Sequence, residues 1–290
     1  NRYPGALKQI YDPPPVLYIK GSLTRDDNLC IAIVGSRRCS LYGQEQASRF
    51  APLLSSAGFT ICSGMARGID TAAHQGALSG GGRTIAVQGC GLANIFPPEN
   101  KKLFEQICES GACISELPLR YEPLAENFPP RNRIIAGLSL GTIVIEASLN
   151  SGALITAKSA MESNREVMAV PGKIDSPLSR GAHQLIKQGA KLVENAKDII
   201  DELSHILISG DIMEEPGKNK TVYKNIHLSP SESEVLTALG PYPVHIDELA
   251  RKIEIDSGKL LGILLRLELK DIVKQSPGKL FSSTMDAKEK

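Results

Sequence analysis

One alternation constrains this chain more than any other feature. Ile31-Ala32-Ile33-Val34 is a short, wholly apolar run that stops at Gly35. Comparable runs recur at Phe59–Cys62, Thr84–Val87, Ala112–Ser115, Thr142–Ile145 and Val167–Val170. A run without an alternating polar face suits a strand covered on both sides, as in a parallel sheet. Segments with helical spacing lie between them, at about 42–57, 69–79, 99–109, 134–140 and 152–163, with two more near 182–189 and 196–203. Apolar strands alternating with helices imply an α/β domain, a parallel sheet with helices on both faces. Ligands of such sheets sit beyond the C-terminal ends of the strands. The informative residues are therefore expected just after each strand.

The flanks read differently. Residues 1–28 are Pro-rich, and Pro4, Pro13, Pro14 and Pro15 preclude a long helix there. The α/β unit is expected over 29–208 and a polar linker over 209–226. Residues 227–285 carry three helical segments (230 to about 239, 246–253 and 257–270) and a hairpin around Pro277-Gly278. Three helices and a hairpin form a winged-helix pattern, so a small C-terminal winged-helix domain is expected.

Composition excludes several classes. A hydrophobic content of 42% supports a real core, and no apolar run approaches the ~20 residues of a membrane span. Aromatics make up 4% and Trp is absent, which argues against aromatic cages. The net charge is +1, so any site for a polyanion must be local. Six cysteines at 30, 39, 62, 90, 108 and 113 form no CxxC and read as small hydrophobes of a reducing, cytoplasmic setting. No targeting segment, metal cluster or cofactor motif is read in the chain.

Several strand ends carry anion-binding chemistry. Gly35-Ser36-Arg37-Arg38 offers free backbone N–H groups and a forked guanidinium. Ser63-Gly64-Met65-Ala66-Arg67-Gly68 is a second tight loop with an arginine, leading into a helix. Asp70 and His74 share a helical face there, as an acid–base pair or as local hydrogen bonding. The densest stretch is Asn127-Phe128-Pro129-Pro130-Arg131-Asn132-Arg133, which leads a helix. Arg131, Asn132 and Arg133 suit phosphate and Phe128 suits a base, although Phe128 is equally a loop anchor and one arginine can pair with Glu116 or Glu146. Ser151-Gly152 opens a helix, where the serine caps the helix or holds a phosphate. Lys173 adds a cation after a later strand. No sharp nucleophile or paired carboxylates accompany these groups, which favours a groove for single-stranded nucleic acid over hydrolysis.

Taken together, these strings resemble the bacterial DNA-processing protein A family, DprA or Smf. The likeness rests on Val34-Gly35-Ser36-Arg37, Ser63–Asp70 with His74, Phe128–Arg133, Ser151–Thr156 and Val170-Pro171-Gly172, in order across about residues 2–203. It implies an extended Rossmann-like fold that forms a homodimer through this domain. It also implies that the protein binds and protects incoming single-stranded DNA and loads the RecA recombinase during natural transformation, with no catalytic turnover. Arg37, Phe128, Arg131 and Arg133 are the DNA contacts the family implies. The family's Gly-Thr-Asn is replaced by Gly181-Ala182-His183, and many members carry a small helical N-terminal domain that the resemblance would place before Asn1.

Two other readings are open. Gly137–Glu146 carries a partial likeness to the Pro-Gly-Gly-x-Gly-Thr-x-x-Glu signature of LOG-type nucleotide phosphoribohydrolases, keeping Gly141-Thr142 but not the double glycine or the glutamate spacing. A winged-helix transcription regulator is the other. Residues 225–290 hold 9 Lys+Arg against 10 Asp+Glu, and 1–224 hold 24 against 22. A net-negative wing unit suits protein docking better than tight duplex recognition.

Overall fold

The computed structural model describes residues 3–209, 230–239, 244–253, 255–256, 260–264, 267, 273–276 and 280–283. The chain divides into two units, 1–214 and 215–290. The expected linker lies, from residue 210 onward, outside the described residues.

The first unit is an eight-stranded sheet in the order β1-β5-β4-β3-β2-β6-β7-β8. The strands are β1 (Tyr18–Gly21), β2 (Cys30–Gly35), β3 (Thr60–Ser63), β4 (Thr84–Val87), β5 (Ala112–Ser115), β6 (Gly141–Ile145), β7 (Glu166–Ala169) and β8 (Lys191–Leu192). All neighbours are parallel except β1, which runs antiparallel to β5 with Tyr18 opposite Ser115. The helices are α1 (Leu41–Ser56), α2 (Ile69–Ser79), α3 (Lys101–Ser110), α4 (Phe128–Leu138), α5 (Gly152–Glu162), α6 (Arg180–Lys187) and α7 (Ala196–Ser209).

The strand β2 shows why the sheet is covered on both faces. Cys30, Ala32 and Val34 join one core with Ile134, Ile135 and Leu138 of α4 and Ala153 and Ala157 of α5. Ile31 and Ile33 join the other, with Phe50 and Leu54 of α1, Ala73 of α2 and Leu203 of α7. Side chains alternate across a strand, so a run apolar at every position feeds both layers. Each fully buried Ile, Leu or Phe contributes about 1.5–3 kcal/mol. The strand order reverses between β2 and β6, which opens a crevice beyond their C-terminal ends.

Three elements depart from the sequence expectation. The strand β1 lies within the Pro-rich stretch. It is a short edge strand with three of four residues exposed, so it carries no apolar run to reveal it. The strand β8 is shorter still, two residues that are both exposed. The helix α4 begins at Phe128 rather than near 134 and ends at Leu138 rather than 140. Proline fits the first turn of a helix because the N–H groups there have no intrahelical acceptor. Pro129 and Pro130 therefore start this helix, and Arg131, Asn132 and Arg133 stand on it instead of on a loop before it.

The second unit has α8 (Pro230–Ala238), β9 (Val244–His245), α9 (Ile246–Lys252), a helical stretch at 260–264, β10 (Val273–Ser276) and β11 (Leu280–Ser283). Its antiparallel sheet has the order β10-β11-β9. Val235, Leu249, Leu260, Leu264 and Phe281 pack into one core, as a winged helix requires. Residues 240–243, 277–279 and much of the expected third helix lie outside the described residues.

Candidate nucleic-acid interface

A cleft of about 760 Å³ occupies the crevice between β2 and β6. The end of β2 and the loop after it line it with Gly35, Ser36, Arg37 and Arg38; α4 contributes Phe128, Arg131 and Asn132; the cap and first residue of α5 contribute Ser151 and Gly152. Eight sequence-predicted residues thus come together. Ser63, Gly64, Arg67, Arg133 and Lys173 are not among its lining.

Arg37 and Arg38 are exposed at the mouth, and neither guanidinium pairs with a carboxylate among the described residues. The Arg37 guanidinium lies 5.3 Å from the centre of the Phe128 ring, and that of Arg131 lies 5.8 Å from it. Phe96 meets the same ring at 5.5 Å with a tilt of 53°. Phe128 is therefore both a loop anchor and part of the site. A base entering here meets a joint guanidinium–aromatic surface, and both components stack on bases.

Arg131 is only 4% exposed. It donates to the carbonyl of Gly64 at 2.6 Å and to that of Val87, and its Nε donates to Asn132 Oδ1 at 3.2 Å. It brackets the ends of β3 and β4 and forms the floor of the cleft. Asn132 Nδ2 reaches the carbonyl of Gly152 at 3.2 Å, joining α4 to α5.

The second expected anion loop already holds an anion. The Asp70 carboxylate accepts from the N–H groups of Gly64 at 3.1 Å and Ala66 at 3.3 Å. Ser63 is buried and donates its hydroxyl to the Ile33 carbonyl at 2.6 Å. Burial raises the Asp70 pKa, and Arg131 with those two N–H groups opposes the rise. Burial lowers that of Arg131, and Asp70 opposes it. Asp70 and His74 form no acid–base pair. His74 is fully buried and its Nδ1 meets Thr84 Oγ1 at 2.7 Å. Burial, with Arg131 adding to it, lowers its pKa to about 3, so the ring is neutral.

Of the remaining candidates, the two arginines are engaged elsewhere. Arg133 grips Glu116 through both terminal nitrogens, at 3.0 and 2.7 Å, and Asp12 through Nε at 3.0 Å. Arg67 pairs with Glu99 on the surface. Lys173 is exposed. Ser151 caps α5, accepting from the Ala153 N–H at 3.3 Å. Glu146, which would stand for the glutamate of a LOG-type signature, does not line the cleft; its carboxylate bonds to Ser40. All six cysteines are free. Among the described residues no group of three His, Cys, Asp or Glu could hold a metal, and no helix is long and apolar enough to cross a membrane.

Sequence reasoning named Arg38 only within the string of the first loop, and missed Asp70 as an intrinsic anion and Phe96 and Asn150 as lining residues. Arg38 was signalled by its place beside Arg37. Phe96 carried no signal, because it reaches the cleft from the connection between β4 and α3.

The family model for DNA recombination-mediator protein A matches residues 1–204, and the DprA winged helix domain matches 224–279. Protein Smf of Escherichia coli is 40% identical over 284 residues, covering 95% of this chain and 74% of that protein. The solved DNA processing protein A of Streptococcus pneumoniae is 46% identical, with a TM-score of 0.67 over 70% of this chain and 71% of the other. That of Helicobacter pylori, described for its single-stranded DNA binding mode, is 30% identical, with a TM-score of 0.65 over 71% of this chain and 94% of the other. Sequence and fold agree over the sheet that builds the cleft, and the chain belongs to the DNA recombination-mediator protein A family.

Proposed function

We propose that the cleft between β2 and β6 binds single-stranded DNA and that the protein acts as a recombination mediator, protecting the strand and loading RecA recombinase onto it during natural transformation. The observation that carries this reading is the exposed Arg37, paired with no carboxylate among the described residues and lying over the Phe128 ring at the sheet's crevice. It joins a phosphate-binding cation to a stacking surface in one place. Arg38 adds a second cation, and Ser36, Asn132, Ser151 and Gly152 supply polar walls. Arg131 supports the site from beneath. A homodimer through the α/β unit and a protein-docking role for the wing unit belong to the same reading. No catalytic step is part of it.

The test is fluorescence anisotropy with a labelled oligo-dT strand and a matched duplex, over a salt series. Preferential, salt-sensitive binding of the single strand is expected. Each phosphate contact on a single strand contributes a salt slope of about 0.7. Arg37→Ala should weaken binding and reduce the slope by about that amount, with the fold intact because the side chain is exposed. Equal affinity for duplex, or an unchanged slope in the variant, would remove the reading. RecA loading is tested by RecA's ATP hydrolysis on the bound strand, which the protein should accelerate.

A further inference from the structure

Resting on that reading of the cleft, we infer that Glu146 is the positioning residue for the Arg37–Arg38 loop: one residue ties down both ends of the loop that carries the exposed cations. Its backbone carbonyl accepts the N–H of Ser36 at 2.7 Å, where the loop leaves β2. Its carboxylate accepts the N–H of Ser40 at 2.7 Å through Oε2 and the Ser40 hydroxyl at 2.5 Å through Oε1, where the loop enters α1. Between these anchors stand Arg37 and Arg38, whose side chains make no comparable tie.

Three further observations show that this arrangement is built in. Glu146 has φ of +50°, a left-handed conformation that a side-chain-bearing residue adopts at a cost and that places it as β6 ends. Gly43, in the first turn of α1, leaves the space the carboxylate occupies, since a Cβ there would lie 2.3 Å from Oε2. The carboxylate is buried, with no salt bridge among the described residues, and sits at the N-terminus of α1, where Ser40 Oγ also accepts the Gly43 N–H at 3.2 Å. The helix end and the two Ser40 donors satisfy its charge.

A carboxylate beside a polyanion site is electrostatically adverse. If Glu146 acted only through its charge, removing it would tighten DNA binding. If it positions the loop, removing it makes Arg37 and Arg38 pay their ordering entropy on binding. For two residues that corresponds to roughly a 5- to 150-fold loss of affinity. The salt slope should stay unchanged, because the arginines still reach phosphate.

The experiment compares wild type, Glu146→Ala, Glu146→Gln and Ser40→Ala in the full chain by two readouts. The first is oligo-dT anisotropy over a salt series. The second is limited trypsin cleavage after Arg37 and Arg38 without DNA, mapped by mass spectrometry. Glu146→Ala is expected to lose affinity at constant slope and to be cut selectively at the loop. Glu146→Gln, which keeps one acceptor oxygen, should lie between. Ser40→Ala keeps Glu146 and tests the tether should Glu146→Ala not fold; it should likewise increase cleavage at the loop. Affinity equal to or tighter than wild type in Glu146→Ala, a slope reduced as in Arg37→Ala, or cleavage after Arg37 and Arg38 unchanged would overturn the proposal. The cleavage readout needs no DNA, so a wild-type protein that ignores oligo-dT would sink the DNA reading and leave the tether to be judged by proteolysis.

Discussion

Replacing Arg131 with methionine separates its structural role from its expected contact with DNA. The sequence places Arg131 among the phosphate ligands, but the structure buries it and joins its NH1 to the carbonyls of Gly64 and Val87. Methionine fills much of the same volume without donors. Three hydrogen bonds are then lost; the two to carbonyls are charge-assisted, each about 1.5–3 kcal/mol, and both strand-end carbonyls are left facing an apolar side chain. Asp70 keeps its two backbone donors and can take up a proton, which limits the electrostatic loss. The net expectation is about 3–5 kcal/mol of destabilisation. For a unit of this size that corresponds to a fall in Tm of roughly 6–20 °C. Urea unfolding of wild type, Arg131→Met and Arg131→Met/Asp70→Asn measures it, and the double variant should recover part of the loss because the uncompensated carboxylate is gone. Arg37→Ala is the control, within about 0.5 kcal/mol of wild type. An Arg131→Met protein as stable as wild type that no longer binds oligo-dT would refute the reasoning and return Arg131 to the DNA contacts.

Two further outcomes follow from the same geometry. Arg133→Ala should cost about 1–2 kcal/mol through the lost Glu116 and Asp12 bonds, while leaving the affinity for oligo-dT and its salt slope unchanged; a slope reduced by about 0.7 would instead place Arg133 on a phosphate. His74 is buried and neutral with a pKa of about 3, so the unfolded chain binds its proton first and the stability tied to His74 is lost as pH falls below about 6.5. The loss should reach about 2 kcal/mol at pH 5 and be absent in His74→Gln. Because the raised pKa of Asp70 acts in the opposite sense, the difference between the two proteins' urea midpoints is the quantity to compare; parallel pH profiles would contradict it.

The sheet was legible because its signal is local. A strand such as Ile31–Val34 announces itself by apolar residues at every position, and the glycine and serine after it mark where it stops. The edge strand Tyr18–Gly21 was not legible, since an exposed, four-residue strand depends on a partner 91 to 97 residues away rather than on its own pattern. The start of α4 is hidden for a related reason. Two prolines oppose a helix interior but fit a first turn, and which applies depends on where the helix begins.

For the site, residue types along the chain were sufficient to select the loops, the arginines and Phe128, and to indicate that they meet at one sheet edge. Which arginine faces solvent was decided only by tertiary structure. Arg37, Arg131 and Arg133 carry the same guanidinium, yet one is exposed over an aromatic ring, one bonds to strand-end carbonyls and one is held by two carboxylates. The same holds for anions: the loop at Ser63–Ala66 has the backbone geometry to receive one, and Asp70, on the following helix, fills it. Hydrogen-bond capacity belongs to the residue and is visible in sequence. Whether that capacity is spent inside the fold or left for a ligand depends on partners brought together by the sheet, and that is set only when the chain has packed.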